Sequence, residues 1–237
     1  MIFATSDIHG YPLESFLSLL EKAGFSSSDR LYVIGDVIDR NGDGGIEMLR
    51  WMMKQENIIL LRGNHESMML DCEFAFTGDV DLSNLKKVTL EQEYNLLLWH
   101  QNGCLPTLDS LINLQNENPE ELAALVEYVR SAPLYAEVTV PMKRFVLVHG
   151  GLNAFDPEKG LDEYSADDLL WARPSPGERY WEDRLVLLGH TPTQLFGEKG
   201  KMFVTDTWVD IDTGAAGGGS PMLLRLNDMC PYYAEDP

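Results

Sequence analysis

Short apolar runs recur along this chain, and several break off beside a glycine and a charged or imidazole side chain. Leu31–Ile34 (LYVI) predicts a buried strand that stops at Gly35, with Asp36, Asp39 and Arg40 directly beyond it. Met1–Thr5 predicts a second strand, ending in Ser6-Asp7-Ile8-His9-Gly10. Between the two, Leu13, Phe16, Leu17 and Leu20 fall at helical spacing, with Pro12 at the start and Gly24 past the end. Pro12–Ala23 therefore predicts an amphipathic helix and completes a βαβ unit. A second helix, with Ile46, Leu49, Met53 and Met52 inward, leads to a strand at Asn57–Leu61 that delivers Arg62-Gly63-Asn64-His65-Glu66.

The stretch from about Ser67 to Pro133 predicts helices. Thr89 with Gln92 makes a capping box ahead of Leu96, Leu97 and Trp99, and Gly103 ends that pattern. Asn118-Pro119 opens another helix, whose stripe is Leu122, Leu125, Val126 and Val129. These helices are expected to be an insertion walling one edge of a site, with Met68, Met69 and His100 as packing or surface residues. Leu134–Val140 and Arg144–Val148 predict a hairpin ending at His149-Gly150-Gly151. Leu169–Pro174 (LLWARP) reads as a helix end running into a loop, and strand Leu185–Leu188 delivers Gly189-His190-Thr191. Strands at Lys201–Val204 and Thr207–Ile211 precede Asp212. The glycines Gly217–Gly219 predict a hairpin loop before a last strand, Met222–Leu226, and Asn227–Pro237 a peripheral tail. No repeat, linker or charge block divides the chain, so one α/β domain over residues 1–237 is expected.

The 237 residues carry 38 acidic and 18 basic side chains, a net charge of −20. Nucleic acid and anionic membrane are excluded as partners on that ground, since both need a basic face. Three cysteines without a CxxC offer neither a disulfide framework nor a thiolate zinc site. No apolar run approaches the ~20 residues that span a bilayer, and no leader-type segment precedes Asp7, so a cytoplasmic protein is expected.

The strand ends carry the chemistry. Asp7 and His9 lie two apart, on one side of an extended chain, and a carboxylate with an imidazole suits a borderline divalent cation. Asp36 and Asp39 beside a core call for a neutralising charge, for which a metal is the usual source. Asn64 can offer an amide oxygen, and His65 a proton tunable near neutrality. Four of the five histidines (His9, His65, His149, His190) stand next to glycine or within GNH just past an apolar strand, which packing alone does not explain.

In this order, SDIHG, GDVIDR, RGNHE, HGGL, WARP and GHT resemble the calcineurin-like metallophosphoesterases, in particular the phosphoprotein phosphatase type that includes small bacterial and phage serine/threonine phosphatases. The resemblance spans Asp7 to Asp212. It implies a four-layer αββα sandwich of two mixed sheets with a helical insertion, and two metal ions (Mn, Fe or Zn). Asp7, His9 and Asp36 would hold one ion; Asp36, Asn64, His149 and His190 would hold the other, with Asp36 bridging. By the same resemblance His65 is the proton donor, oriented by Asp39, and Arg40, Arg62 and Arg173 grip phosphate, with Asp212 behind the site. The implied reaction is hydrolysis of phosphoserine or phosphothreonine in a phosphorylated protein or peptide, by hydroxide shared between the metals. A diadenosine-polyphosphate hydrolase is the nearest alternative, and an inactive metal-binding scaffold is one of another class. Arg62 before GNHE, and Arg173 in WARP, favour the phosphoprotein type; Thr191-Pro192 after His190 counts against a cyclic-nucleotide phosphodiesterase. Ser6 and Asn41 depart from the family pattern by replacing glycines, and Asn41 is expected to accept left-handed backbone.

Overall fold

Alternation within the strands decides the layering, because successive side chains enter different apolar environments. The computed structural model describes residues 1–77 and 88–234. Its strands are β1 (Ile2–Thr5), β2 (Arg30–Ile34), β3 (Ile58–Leu61), β4 (Tyr135–Val140), β5 (Lys143–Val148), β6 (Leu185–Leu188), β7 (Phe203–Val204), β8 (Trp208–Asp210), β9 (Met222–Arg225) and β10 (Cys230–Tyr233). They form two five-stranded mixed sheets, ordered β10-β9-β1-β2-β3 and β4-β5-β6-β8-β7. In the first sheet β1, β2 and β3 run parallel; in the second, β5, β6 and β8 do.

Ala4, Tyr32, Ile34, Leu61 and Leu224 of the first sheet meet Phe145, Leu147, Leu187 and Val209 of the second in a shared interior. Each such side chain, fully buried, contributes about 1.5–3 kcal/mol. The alternate residues of the first sheet, Phe3, Leu31, Val33, Ile58 and Leu60, pack outward. They share one core with α1 (Leu13–Lys22), α2 (Ile46–Met52), α3 (Asn64–Asp71), α4 (Leu90–Gln101), α5 (Leu105–Glu117) and α6 (Pro119–Ser131), in which α4 packs on α3 and α5 on α2 and α6. Outside the second sheet, Val146, Val148, Val186, Leu188 and Trp208 pack on Leu152, Tyr164, Leu169 and Tyr180. The αββα sandwich is thus present with unequal outer layers. The second is built from loops and the five-residue helix α7 (Ala166–Leu170).

Several expectations need correction. On α1 the buried face is Phe16, Leu19 and Leu20, whereas Leu17 is 38% exposed, because the true stripe runs one position further round. Leu97 on α4 is 53% exposed, and Met53 lies just past the end of α2, whose buried residues include Met48. Asn64 and His65, just past β3, form the first turn of α3. The glycine segment is no hairpin: it crosses from β8 in the second sheet to β9 in the first. β9 is not the last strand, since Cys230–Tyr233 of the expected tail pairs antiparallel with it as β10. The capping box of Thr89 with Gln92 and the buried stripe of α6 are as expected. The helical expectation for residues 78–87 lies outside the described residues.

Candidate active site

The carboxyl ends of the parallel strands are stitched together by backbone. Asp7 N–H donates to Gly35 O (3.2 Å), His9 N–H to Asp36 O (2.9 Å) and Gly10 N–H to Val37 O (2.9 Å), which zips the loop after β1 to the loop after β2. Gly35 and Gly63 let the loop after β3 come equally close. A Cβ on Gly35 would lie 2.5 Å from Gly63 Cα, and one on Gly63 would lie 2.2 Å from Asp36 Oδ1. The packing forces unusual backbone: Asp7, His9, Asp36, Asp39, Arg40 and His190 have φ of 52°, 46°, 54°, 75°, 73° and 67°. Left-handed conformations cost an L-residue ~1–2 kcal/mol, and such strain gathers where surrounding structure enforces it for function.

Glu66 supplies part of that enforcement. It is fully buried; Oε2 accepts the N–H groups of Asp36 (2.8 Å) and Gly63 (2.9 Å), while Oε1 accepts those of Val37 (2.8 Å) and Ile38 (3.4 Å). Asn41 meets its expectation differently: it is absent from the left-handed residues, and Nδ2 instead donates to His9 O (2.9 Å) and Ala215 O (3.1 Å). Asp39, Arg40 and Gly42 carry the left-handed backbone of that turn. Ser6 Oγ reaches Asp7 Oδ2 (2.5 Å) and Ile34 O (3.0 Å).

Hydrogen bonding at Nδ1 of His9, His65 and His149 aims Nε2 of each at Asp36. His9 Nδ1 donates to Ile38 O (2.9 Å), which leaves Nε2 facing Asp36 Oδ2 (3.6 Å) and Asp7 Oδ1 (3.8 Å). His149 Nδ1 donates to Ile34 O (2.8 Å), and its Nε2 lies 2.8 Å from Asn64 Oδ1 and 3.3 Å from Asp36 Oδ1. His190 Nε2 is buried without a hydrogen-bond partner. Asp7 Oδ2 takes the His190 N–H (2.9 Å) as well as Ser6, so Oδ1 is its open oxygen. The candidate ligand atoms of His9, Asp36 and His65 lie within 4.8 Å of one another, as do those of Asp36, His149 and His190. Donor atoms converging on Asp36 fit a cation, whose arrival would displace any proton that His149 Nε2 shares with Asn64 Oδ1. The donors are all oxygen or nitrogen, which suits a hard or borderline divalent ion.

The electrostatics agree with that fit. Burial drives His9 down to about 3 and His190 down to about 2, so both imidazoles are neutral donors. Burial opposes charge on His149 too, but Asp36 outweighs it and lifts the imidazole to about 10. Burial and then Asp212 push Asp7 well above the usual carboxylate range. Burial would raise Asp36, yet His149 and His65 hold it well below that range. Behind them, burial lifts Asp212 to about 6, and burial together with Asp212 raises Asp210, whose Oδ2 has no partner. A cation would relieve this crowded set of carboxylates.

His65 differs from His9 and His149 in its Nδ1 partner, a carboxylate rather than a backbone carbonyl: Nδ1 donates to Asp39 Oδ2 at 2.6 Å, and Nε2 lies 3.7 Å from Asp36 Oδ2. Arg40 Nη2 is 3.3 Å from that Nε2, and Arg173 Nη1 donates to His190 O (2.9 Å) and Thr191 Oγ1 (3.2 Å). Arg62 is placed otherwise: Nη2 donates to the carbonyls of Arg130 (2.5 Å) and Ala132 (3.2 Å) at the end of α6. With Asn64, Asp71, Tyr94, Asp167 and Trp171 it lines a cleft of 670 Å³. The structure therefore gathers Asp7, His9, Asp36, Asp39, Asn64, His65, His149 and His190, with Arg40 and Arg173 touching them and Arg62 turned to α6. Four residues given no role from sequence also belong here: Glu66, Asp210, Trp99 and Thr107. Glu66 stands in a quoted motif and Asp210 ends an apolar strand, but nothing local marks Trp99 or Thr107.

Comparison with known proteins follows the same lines. Serine/threonine-protein phosphatase 1 of Salmonella typhimurium is 26% identical over 241 residues, covering 95% of this chain and 91% of its own length. The asymmetrical bis(5'-nucleosyl)-tetraphosphatase PrpE of Bacillus thuringiensis is 28% identical over 249 residues, covering 94% and 89%. A solved structure, described only as a candidate diadenosine tetraphosphatase, shares the fold with a TM-score of 0.60 at 16% identity, over 97% of this chain and 90% of that one. The sequence pattern of the calcineurin-like phosphoesterases matches residues 1–212. That match takes in most of the chain and all the candidate site residues from Asp7 to Asp212, and the chain belongs to the calcineurin-like phosphoesterase family.

Proposed function

We propose that this protein is a metal-dependent phosphomonoesterase acting on phosphoserine and phosphothreonine in proteins. The observation that carries the reading is the His65–Asp39 pair, set at 2.6 Å beside the Asp36 clusters. A seryl alkoxide is a poor leaving group, so its departure calls for a proton donor held in place.

Asp7, His9 and Asp36 would hold one ion, and Asp36, Asn64, His149 and His190 the other. Asp36 Oδ2 faces the first group and Oδ1 the second. When bound, such ions supply Lewis acidity, neutralising phosphate charge and acidifying water. Arg40 and Arg173 at the rim offer planar guanidinium groups that match phosphate oxygens. In the hydrolysis, the oxygen of water bonds to phosphorus as the ester P–O bond breaks. His65 Nε2–H gives its proton to the departing oxygen, which leaves as the alcohol; of the two protons of the attacking water, one stays on the phosphate product and the other restores Nε2–H. Asp39 keeps Nδ1 occupied throughout, so only Nε2 is free to donate.

Mn²⁺-dependent hydrolysis of an aryl phosphate tests the activity. His65→Asn is expected to lower kcat by ~10²–10⁴ with metal content retained. Wild-type turnover no faster than that of the variant would instead indicate a metal-binding scaffold. A second reading, hydrolysis of dinucleoside polyphosphates, draws on the 670 Å³ cleft, whose Tyr94 and Trp171 offer aromatic faces to a base. A kcat/KM much higher for diadenosine tetraphosphate than for a phosphopeptide would favour it.

A further inference from the structure

Among the described residues, α4 and α5 meet the reaction site at the Asp39 carboxylate and the backbone next to it. Oδ2 of Asp39 accepts from His65 Nδ1 (2.6 Å) and also from Trp99 Nε1 of α4 (2.8 Å). Oδ1 accepts from Thr107 Oγ1 of α5 (2.6 Å), and the same hydroxyl oxygen accepts from Asp39 N–H (2.9 Å). One residue on, Arg40 N–H donates to Gly103 O (3.0 Å) at the junction of α4 and α5. Asp39, Trp99 and Thr107 are all fully buried. A carboxylate held only by His65 would be free to turn about its own terminal torsion, carrying the imidazole with it. Donors on both oxygens remove that freedom.

We propose that Trp99 and Thr107 are positioning residues that aim His65 at the leaving oxygen through Asp39. The helices α4 and α5 are then working parts of the proton-transfer apparatus. The proposal rests on the reading of His65 as proton donor given above. A different role, in which the two donors only satisfy a buried carboxylate, makes a different prediction. Loss of either would then lower stability and slow all substrates alike.

Leaving-group dependence separates the two. A substrate with a good leaving group, p-nitrophenyl phosphate, leans little on proton donation, whereas phenyl phosphate leans on it heavily. Trp99→Phe keeps an aromatic ring, though a smaller one, and removes the N–H; Thr107→Val keeps the shape and removes the hydroxyl, and Thr107→Ser restores it. Each of the first two is expected to cut kcat on phenyl phosphate by about tenfold or more, the order lost when a catalytic group is misplaced. On p-nitrophenyl phosphate the loss is expected to be several-fold smaller, Mn²⁺ stoichiometry to stay unchanged, and Thr107→Ser to recover the wild-type ratio. His65→Asn, measured on both substrates, is the reference. Should His65→Asn steepen the leaving-group dependence while Trp99→Phe and Thr107→Val leave it at the wild-type slope, the positioning proposal fails and the reading of His65 stands. Equal losses on both substrates in the two variants would assign them a purely structural role and overturn the proposal. If His65→Asn itself shows no leaving-group dependence, the donor reading falls and takes the proposal with it.

Discussion

Replacing Glu66 by glutamine changes one atom of a fully buried side chain, and its effect follows from four hydrogen bonds. The carboxylate receives the N–H groups of Asp36 and Gly63 on one oxygen, and of Val37 and Ile38 on the other. Burial and the neighbouring Asp36 push its pKa up, while the backbone donors pull it back. With donors on both oxygens, the anion is the form this geometry fits. A glutamine amide has one acceptor oxygen, so in either orientation two of the four donors face an NH₂ group. Hydrogen bonds to a charged acceptor contribute ~1.5–3 kcal/mol each, so losing two destabilises by about 3–6 kcal/mol, against a total of ~5–15 kcal/mol for a domain. The loss also releases the turn that holds Asp36 at φ 54°. Urea titration of Glu66→Gln should give a midpoint lowered to match, and calorimetry should show weaker Mn²⁺ binding. An unfolding free energy within about 0.5 kcal/mol of wild type, the usual scatter for substitutions away from such features, would refute the argument and indicate a protonated Glu66.

Two further outcomes follow from the same geometry. Asp36→Asn removes the carboxylate that both clusters share among the described residues, so metal analysis should show both ions lost together; loss of one alone would mean that Asp36 does not bridge. The third concerns pH. Without a cation, His149 is raised from 6.5 to about 10, so its contribution is fully present below 6.5 and disappears as pH climbs through 10. Asp212, raised from 3.8 to about 6, has already lost its contribution by then, and Asp36, held low, works in the opposite sense only under acid. The Tm of EDTA-treated protein should therefore fall between pH 6.5 and 8.5, and the rise in Tm on adding Mn²⁺ should grow over that range, since a metal-bound imidazole nitrogen carries no proton. A metal-free Tm that is flat or rising would count against this account.

Much of the fold was legible because each strand of the interior is a run of apolar side chains that ends abruptly. Leu31–Ile34 and Leu185–Leu188 needed no other cue. The site was legible where chemistry sits beside those ends, as with Asp7, His9 and His149. Trp99 and Thr107 were not, because they meet Asp39 from 60 and 68 residues away, and nothing near them in the chain marks the contact. β10 went unread because Pro231 argues against a strand, yet at a sheet edge a missing N–H is tolerated. The outward-turned Leu17 shows a different limit. Two helical stripes one position apart look alike until the sheet beneath chooses between them.

The neighbours of β1 lie far apart in the chain: Phe3 pairs with Arg225 on one side and with Leu31 on the other. β1 thus waits for a partner far downstream, Arg225 against Phe3, before its sheet is complete. A nascent chain displays an open edge of β1 during that interval, ready to pair with the wrong neighbour. Closure over so long a loop makes for slow folding, and it leaves the metal-binding loops, which hang from that same strand, among the last parts to settle.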